Sequence, residues 1–244
     1  MFRDRIRTTR NAGNTRPDWY RFEAKAGGDE TAIYIYDEVS WFGISADRFV
    51  RDLQAVTTAK IALHLNSPGG DVFDGIAIYN ALKQHAATVA VTVDGIAASI
   101  ASVIAMAGDS VAVARGAMFM IHEPFAFTIG DAADHRKGAD ALDLMGESIA
   151  GIYAARAGGE AAAWRARMAA ETWFSDAEAV AVGLADTQLE GSVAQNTFDL
   201  SIFRNYPGRA AAAQQEQPAT HVDWRHTALL QVASAQLEVA RCRL

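Results

Sequence analysis

A serine, a histidine and a pair of glycines in this sequence stand where they could carry out acyl-transfer chemistry. Asp94-Gly95-Ile96-Ala97-Ala98-Ser99-Ile100-Ala101-Ser102 reads as a strand end, a glycine turn and the first turns of an apolar helix. The free N–H groups and positive dipole of a helix start favour a nearby anion. A serine there can attack a carbonyl while the next backbone N–H stabilises the oxyanion. A closely packed small-residue helix, with Ser99 and Ser102 merely fitting, gives the same letters. Met118-Phe119-Met120-Ile121-His122-Glu123-Pro124 sets a histidine between an apolar strand and a proline-bounded turn. Such a histidine is held firmly and can still face solvent, as a general base requires; an ordinary half-buried histidine is the plain alternative. Asn66-Ser67-Pro68-Gly69-Gly70 ends another apolar run. Two glycines let the backbone turn sharply and bring bare N–H groups close to a ligand, although a simple turn uses the same residues.

The elements needed to position these residues are legible. Ala32 to Tyr36 is aromatic and β-branched and predicts a strand. A helix follows, with Ser45 as its cap and Phe49, Val50 and Leu53 on one face. Lys60 to Leu65 predicts a strand, Asp71 to Gln84 a helix and Ala87 to Val93 a strand. Gly95 to Ala107 predicts a small-residue helix, with strands at Ser110 to Ala114 and Ala117 to Ile121. Polar, glycine-containing Gly130 to Gly138 reads as a loop, and Ala139 to Arg156 and Ala161 to Ala170 as helices. Ser175 with Glu178 three residues on is a capping-box start, and Gly183 ends that helix. This alternation predicts an α/β domain whose strands are buried on both faces.

The organisation expected is a basic flexible arm over 1–18, a domain over 19–190, a linker over 191–220 and a tail over 221–244. The arm carries five arginines against one aspartate in its first 16 residues. The linker holds the Ala-, Gln- and Pro-rich stretch Asn205 to Thr220. Leu229, Leu230, Val232, Leu237 and Val239 could give the tail a helical apolar face.

Composition narrows the function classes. The chain has 244 residues, half of them hydrophobic, so it is long enough for a sizeable core. Its single cysteine, Cys242, excludes an internal disulfide and a cysteine-based zinc site. No metal or cofactor site is expected, because His64, His85, His135, His221 and His226 lack ligand spacing. A net charge of −7 disfavours a general nucleic-acid binder. The longest uncharged stretch, Gly95 to Gly108, is too short to span a bilayer. The first residues lack the apolar core of a secretory signal, so a cytoplasmic location is expected.

The order and setting of these motifs resemble the ClpP-type serine peptidases. The likeness runs from about Ile33 to Asp186. It includes the 66–70, 95–99 and 120–124 segments and Phe174-Ser175-Asp176-Ala177-Glu178-Ala179-Val180-Ala181-Val182-Gly183-Leu184-Ala185-Asp186. The resemblance implies a ClpP/crotonase-like α/β fold of repeated β-β-α units. It implies Ser99 as nucleophile, His122 as general base, and the backbone N–H groups of Gly70 and Ile100 as oxyanion hole. The family's third member is an aspartate four residues before the serine of its final helix. Here that slot holds Glu171, which can still accept a hydrogen bond from the histidine ring, while Asp140 and Asp176 are the next candidates. Phe125 to Gly138 corresponds to the handle by which rings of the family meet, with Leu142, Leu144, Met145, Ile149 and Tyr153 as further apolar contacts.

Large homo-oligomers, most simply heptameric rings, are therefore expected, with protein or peptide substrates and an AAA+ ATPase as a possible partner. The arm, Trp19-Tyr20-Arg21-Phe22, Glu171-Thr172-Trp173 and the tail look like the phage branch, whose members process capsid or scaffold proteins during head maturation. That reading places the chain in a bacterial host's cytoplasm. Competing readings are a housekeeping ATP-dependent Clp subunit, a crotonase-like acyl-CoA enzyme and an inactive scaffold. A Ser–Lys dyad is disfavoured, since none of Lys25, Lys60, Lys83 and Lys137 lies in a matching motif.

Overall fold

The computed structural model describes residues 19–24, 28–39, 46–190, 198, 200 and 203–207. The basic arm, the Ser45 cap and the tail helix lie outside the described residues. Among these there are eight strands and six helices. In chain order they are β1 Tyr20–Ala24, β2 Glu30–Ile35, α1 Ala46–Gln54, β3 Lys60–Ser67, α2 Val72–Gln84, β4 Thr88–Ala98, α3 Ile100–Ala105, β5 Ser110–Ala114, β6 Met118–Ile121, α4 Ala132–Ala157, α5 Ala161–Ala169, β7 Thr172–Ser175, α6 Asp176–Ala181 and β8 Thr187–Leu189. The sheet runs β1-β2-β3-β4-β5-β8, parallel apart from the antiparallel β1–β2 pair.

The apolar run of β3 becomes a strand with a sided pattern. Ile61, Leu63 and Leu65 are buried, while Ala62, His64 and Asn66 are only half-buried. β2 does the same, burying Ile33 and Ile35 and turning Tyr34 outward. β2 and β3 therefore depart from the expected burial on both faces, which holds for β6 and the ends of β4 and β5. The second face carries a polar cluster. Asp94 Oδ2 accepts from the Tyr36 hydroxyl at 2.8 Å and lies 2.9 Å from His64 Nδ1. Tyr34 stacks on His64 at 4.8 Å between ring centroids. Burial and the Asp94 carboxylate push the Tyr36 phenol well above its ordinary range. On the core side, α1 buries Phe49 and Leu53. Each contributes on the order of 1.5–3 kcal/mol. Trp19 stacks against Phe49 at 5.7 Å between ring centroids and so belongs to the same core.

The main departure from the sequence reading concerns β4. Gly95 to Ala98, expected as helix, continue the strand, and the helix begins only at Ile100. The alanines lean toward helix, and the neighbouring strands override them. β4 pairs with β5 over Ala90–Val93 and then with β6 over Ile96–Ala98. Between these two partners its register against β3 slips, from Leu65↔Val93 to Ser67↔Ala97. Gly95 sits at the slip with no room for a side chain, since a Cβ there would lie 2.5 Å from Asn66 Oδ1.

The expected loop at Gly130 to Gly138 is mostly helix. Asp131 caps α4 in a reciprocal box with Asp134, so the helix starts seven residues before Ala139. Ile149 and Tyr153, expected at a ring contact, are buried in the core. Leu144 is exposed, as are Phe125, Phe127 and Ile129 ahead of the helix. The capping box of Ser175 and Glu178 forms as expected. β7, unforeseen, pairs antiparallel with β6. Part of the expected linker also belongs to the domain: Leu200 and Phe203 are buried against Ile96, Ala98 and Met120.

One buried contact ties the long helix to the site. Ser102 Oγ donates to Ser99 O at 2.6 Å and lies 2.7 Å from the fully buried Tyr153 hydroxyl. Ser102→Ala strands that hydroxyl and should cost about 1–3 kcal/mol, whereas Ser102→Ala/Tyr153→Phe should recover part of the loss. Urea denaturation of the two variants checks the order.

Candidate active site

Ser99 stands at the junction of β4 and α3, with φ 54° and ψ −130°. A non-glycine residue in that region costs on the order of 1–3 kcal/mol and persists only where its surroundings over-determine it. Here they do. The Ser99 N–H donates to Met120 O at 2.9 Å, extending the β4–β6 ladder by one residue. Its carbonyl is held by the Ser102 hydroxyl and by the Ser102 N–H at 3.0 Å. Each bond contributes about 0.5–1.5 kcal/mol, enough together to offset the strain. The turn lifts the hydroxyl out of the ladder toward the end of the neighbouring strand.

That strand is β6, and His122 follows its last residue. His122 Nε2 lies 2.7 Å from Ser99 Oγ, the spacing of a base that takes a hydroxyl proton. The ring is largely enclosed, with Phe125 and Phe203 each 5.8 Å away between centroids. Burial holds the imidazole below the ordinary histidine range, and the Glu171 carboxylate pulls weakly the other way. The ring is therefore neutral near pH 7, the form that can accept a proton.

The glycine turn closes the other side. Ser67 Oγ donates to Asp37 O at 2.7 Å and accepts the Gly69 N–H at 3.2 Å, fixing the loop at the strand end. A Cβ on Gly69 would lie 2.7 Å from Ser99 Cβ and 3.2 Å from Ile100 N, so this backbone abuts the serine directly. Gly70 pairs with Val39 as a parallel bridge, built from Val39 N–H to Gly69 O and Asp71 N–H to Val39 O. Those bonds leave the Gly70 N–H directed away from the bridge. The Ile100 N–H is the first amide of α3, which the helix itself leaves unbonded. The Ile100 amide thus follows Ser99 directly, and the Gly69–Gly70 turn abuts the pair through Gly69.

Glu171 lies just before β7 with φ 49°. Its carboxylate does not hydrogen-bond His122. Oε2 accepts the Arg204 N–H at 2.8 Å, and Oε1 accepts the Asn205 N–H at 2.5 Å and the Trp173 indole at 3.3 Å. It is nonetheless the carboxylate whose charge acts on His122. The alternatives are engaged elsewhere or far out: Asp176 accepts from Gly116 N–H and Gln188, and Asp140 is exposed on α4. His122, Glu123, Phe125, Met168, Glu171 and Phe203 line a cavity of about 310 Å³. Glu123 is anchored by Arg165 at 2.5 Å, and Arg165 also reaches Asp143 on α4 at 2.9 Å. The contribution of residues 203–205 escaped the sequence reading, because Ala, Gln and Pro farther on dominate that stretch.

Among the described residues no cluster of three or more His, Cys, Asp or Glu could hold a metal ion, and no helix is long and apolar enough to cross a membrane.

The profile of the Clp protease family matches residues 27–191, the segment that contains every element of this site except the 203–205 contact. The chain belongs to the Clp protease family. It is a serine peptidase. Relatives include the ATP-dependent Clp protease proteolytic subunit 1 of Prochlorococcus marinus, 29% identical over 173 residues, which cover 68% of this chain and 87% of that one. The proteolytic subunit of Bacteroides fragilis is 30% identical over 171 residues, 64% of this chain and 80% of its own. The proteolytic subunit 3 of Rhodococcus jostii is 34% identical over 131 residues, 52% and 63% respectively.

A base must be deprotonated to work, so peptidase activity rises with pH through the histidine titration. With His122 lowered by burial, the acid limb of kcat/KM should fall below the ordinary histidine value of about 6.5. Glu171→Gln removes the charge that raises it, so the limb should move lower still while kcat drops at least about tenfold. A pH series on both proteins measures this.

Proposed function

We propose that the chain is a serine endopeptidase in which Ser99, His122 and Glu171 act as a triad. The observation that carries this reading is the 2.7 Å contact of Ser99 Oγ with His122 Nε2, at a serine held in a strained turn against the glycine pair. Ser99 Oγ attacks the peptide carbonyl as His122 Nε2 takes its proton. The oxyanion develops between the N–H groups of Gly70 and Ile100. His122 then gives the proton to the leaving amine, and water repeats the sequence to release the acyl group. Glu171 supports the imidazolium through its charge. A crotonase-like acyl-CoA reaction would have no need of the Ser99–His122 pair, and an inactive scaffold would have no need of the strained serine.

The biological role we propose is head maturation in a phage, with capsid or scaffold proteins as substrates, in the cytoplasm of a bacterial host. The basic arm and Glu171-Thr172-Trp173 support it. The relatives' names equally support general degradation with a Clp ATPase. Adding capsid or scaffold protein without ATP distinguishes the two, since only the first role predicts cleavage there. We further propose stacked heptameric rings. Exposed Phe125, Phe127, Ile129 and Leu144 supply apolar surface at the handle, a patch of the kind that marks contact between subunits. Light scattering should find a particle of many subunits; a monomer that cleaves peptides overturns the rings.

The chemistry has its own test. A fluorophosphonate should label Ser99, and Ser99→Ala should lower kcat by about 10⁴-fold or more. Mass spectrometry of the labelled peptide identifies the residue. Labelling elsewhere, or activity preserved in Ser99→Ala, overturns the assignment.

A further inference from the structure

Glu171 departs from the expected aspartate by one methylene, and that extra reach is used. Its carboxylate is held from one side by the consecutive N–H groups of Arg204 and Asn205, at 2.8 and 2.5 Å. The Asn205 side chain fixes the same backbone by donating to Ala170 O at 2.7 Å. Phe203 is buried and makes T-shaped contacts with both His122 and Trp173, at 5.8 and 5.7 Å between centroids. Tyr206 lies 5.2 Å from Trp173. The contact is thus a built one, with an apolar anchor on each side of the two donating amides. It also lies beyond residue 191, where the family match ends.

We propose that residues 203–206 form a strap that positions the acid of the triad, its two peptide N–H groups holding the Glu171 carboxylate beside His122. This rests on the triad reading above. Two backbone donors can orient a carboxylate more firmly than side chains, because they lose no rotamer freedom in doing so. Charge-assisted bonds of this kind are also the stronger ones. One bond to Oε2 leaves that oxygen free to accept another from the His122 ring once substrate binds. The strap residues are positioning residues; the reacting groups remain Ser99 and His122. The strap also carries Phe203 into the wall of the cavity beside His122, so the same segment shapes the space next to the base.

Asn205→Pro removes one of the two donors from the full-length chain. We expect kcat to fall at least about tenfold with KM changed less than about threefold, since the lost interaction serves the transition state. The charged groups around His122 are Glu171, Glu123, paired with Arg165, and Arg204 of the strap itself. The substitution acts on the strap's hold on Glu171, whose charge raises His122, so the acid limb of kcat/KM should move to lower pH. Asn205→Ala, which keeps the amide, should lose less. In a Glu171→Gln background, Asn205→Pro should add little, because both changes remove one function; independent effects that multiply would mark a merely structural strap. Parental kcat and pH profile in Asn205→Pro, or a gain in activity, overturns the proposal. Should Asn205→Pro fail to fold, amide exchange decides instead: the Arg204 and Asn205 amides should exchange at least about tenfold faster in Glu171→Ala than in the parent, and equal rates overturn the contact. Activity surviving in Ser99→Ala would defeat the triad itself, whereas a dead Ser99→Ala beside a parental Asn205→Pro defeats the strap alone.

Discussion

Everything at the site depends on how β4 ends. The strand must exchange β5 for β6 while keeping β3, and stop at a serine whose backbone no ordinary strand or helix tolerates. The register slip at Gly95 makes the change of partner possible, and the ladder bond from Ser99 to Met120 fixes its end. Since β6 also delivers His122, the proposed nucleophile and base stand together at the C-terminal end of one parallel strand pair. Their 2.7 Å separation is therefore a property of sheet register, which resists small movements far better than a loop would.

The glycine turn depends on the same junction. Gly69 can approach Ser99 and Ile100 only because it lacks a side chain, and Gly70 can bridge Val39 for the same reason, as a Cβ there would overlap Val39 O. The amides of Gly70 and Ile100 are unbonded for different causes, one left over by a single β-bridge and one by a helix start. Gly75 contributes from the next layer, where a Cβ would collide with the Ile100 side chain. Close packing of α2 on α3 thus holds the helix that carries the second amide.

The acid stands apart from this rigid frame. Glu171 is a second residue in the left-handed region, at the turn between α5 and β7, and its charge reaches His122 without a hydrogen bond. Burial therefore dominates the histidine, and the carboxylate moderates it. A neutral, enclosed base bonded to the serine is suited to the first proton transfer. In the proposed mechanism the imidazolium formed next needs the negative charge nearby, which makes the placement of that carboxylate a matter of rate more than of fold.

The order of the motifs, read through the family resemblance, pointed to Ser99, His122 and the glycine pair, whereas each motif alone fits a packed helix, a half-buried histidine or a plain turn as well. A serine after small residues, a histidine after an apolar strand and paired glycines after another are short-range patterns. The helices with strong signals also formed as read, the Ser175 box among them. Tertiary structure decided the rest. Gly95 to Ala98 have no periodicity to separate strand from helix, and only pairing with β6 makes them strand. Gly130 to Gly138 look like a loop by composition, yet a reciprocal Asp131–Asp134 cap starts the helix there. The setting of Glu171 was not legible at all. Backbone N–H groups are the same in every residue, so donors supplied from 33 and 34 positions away leave no mark in the sequence.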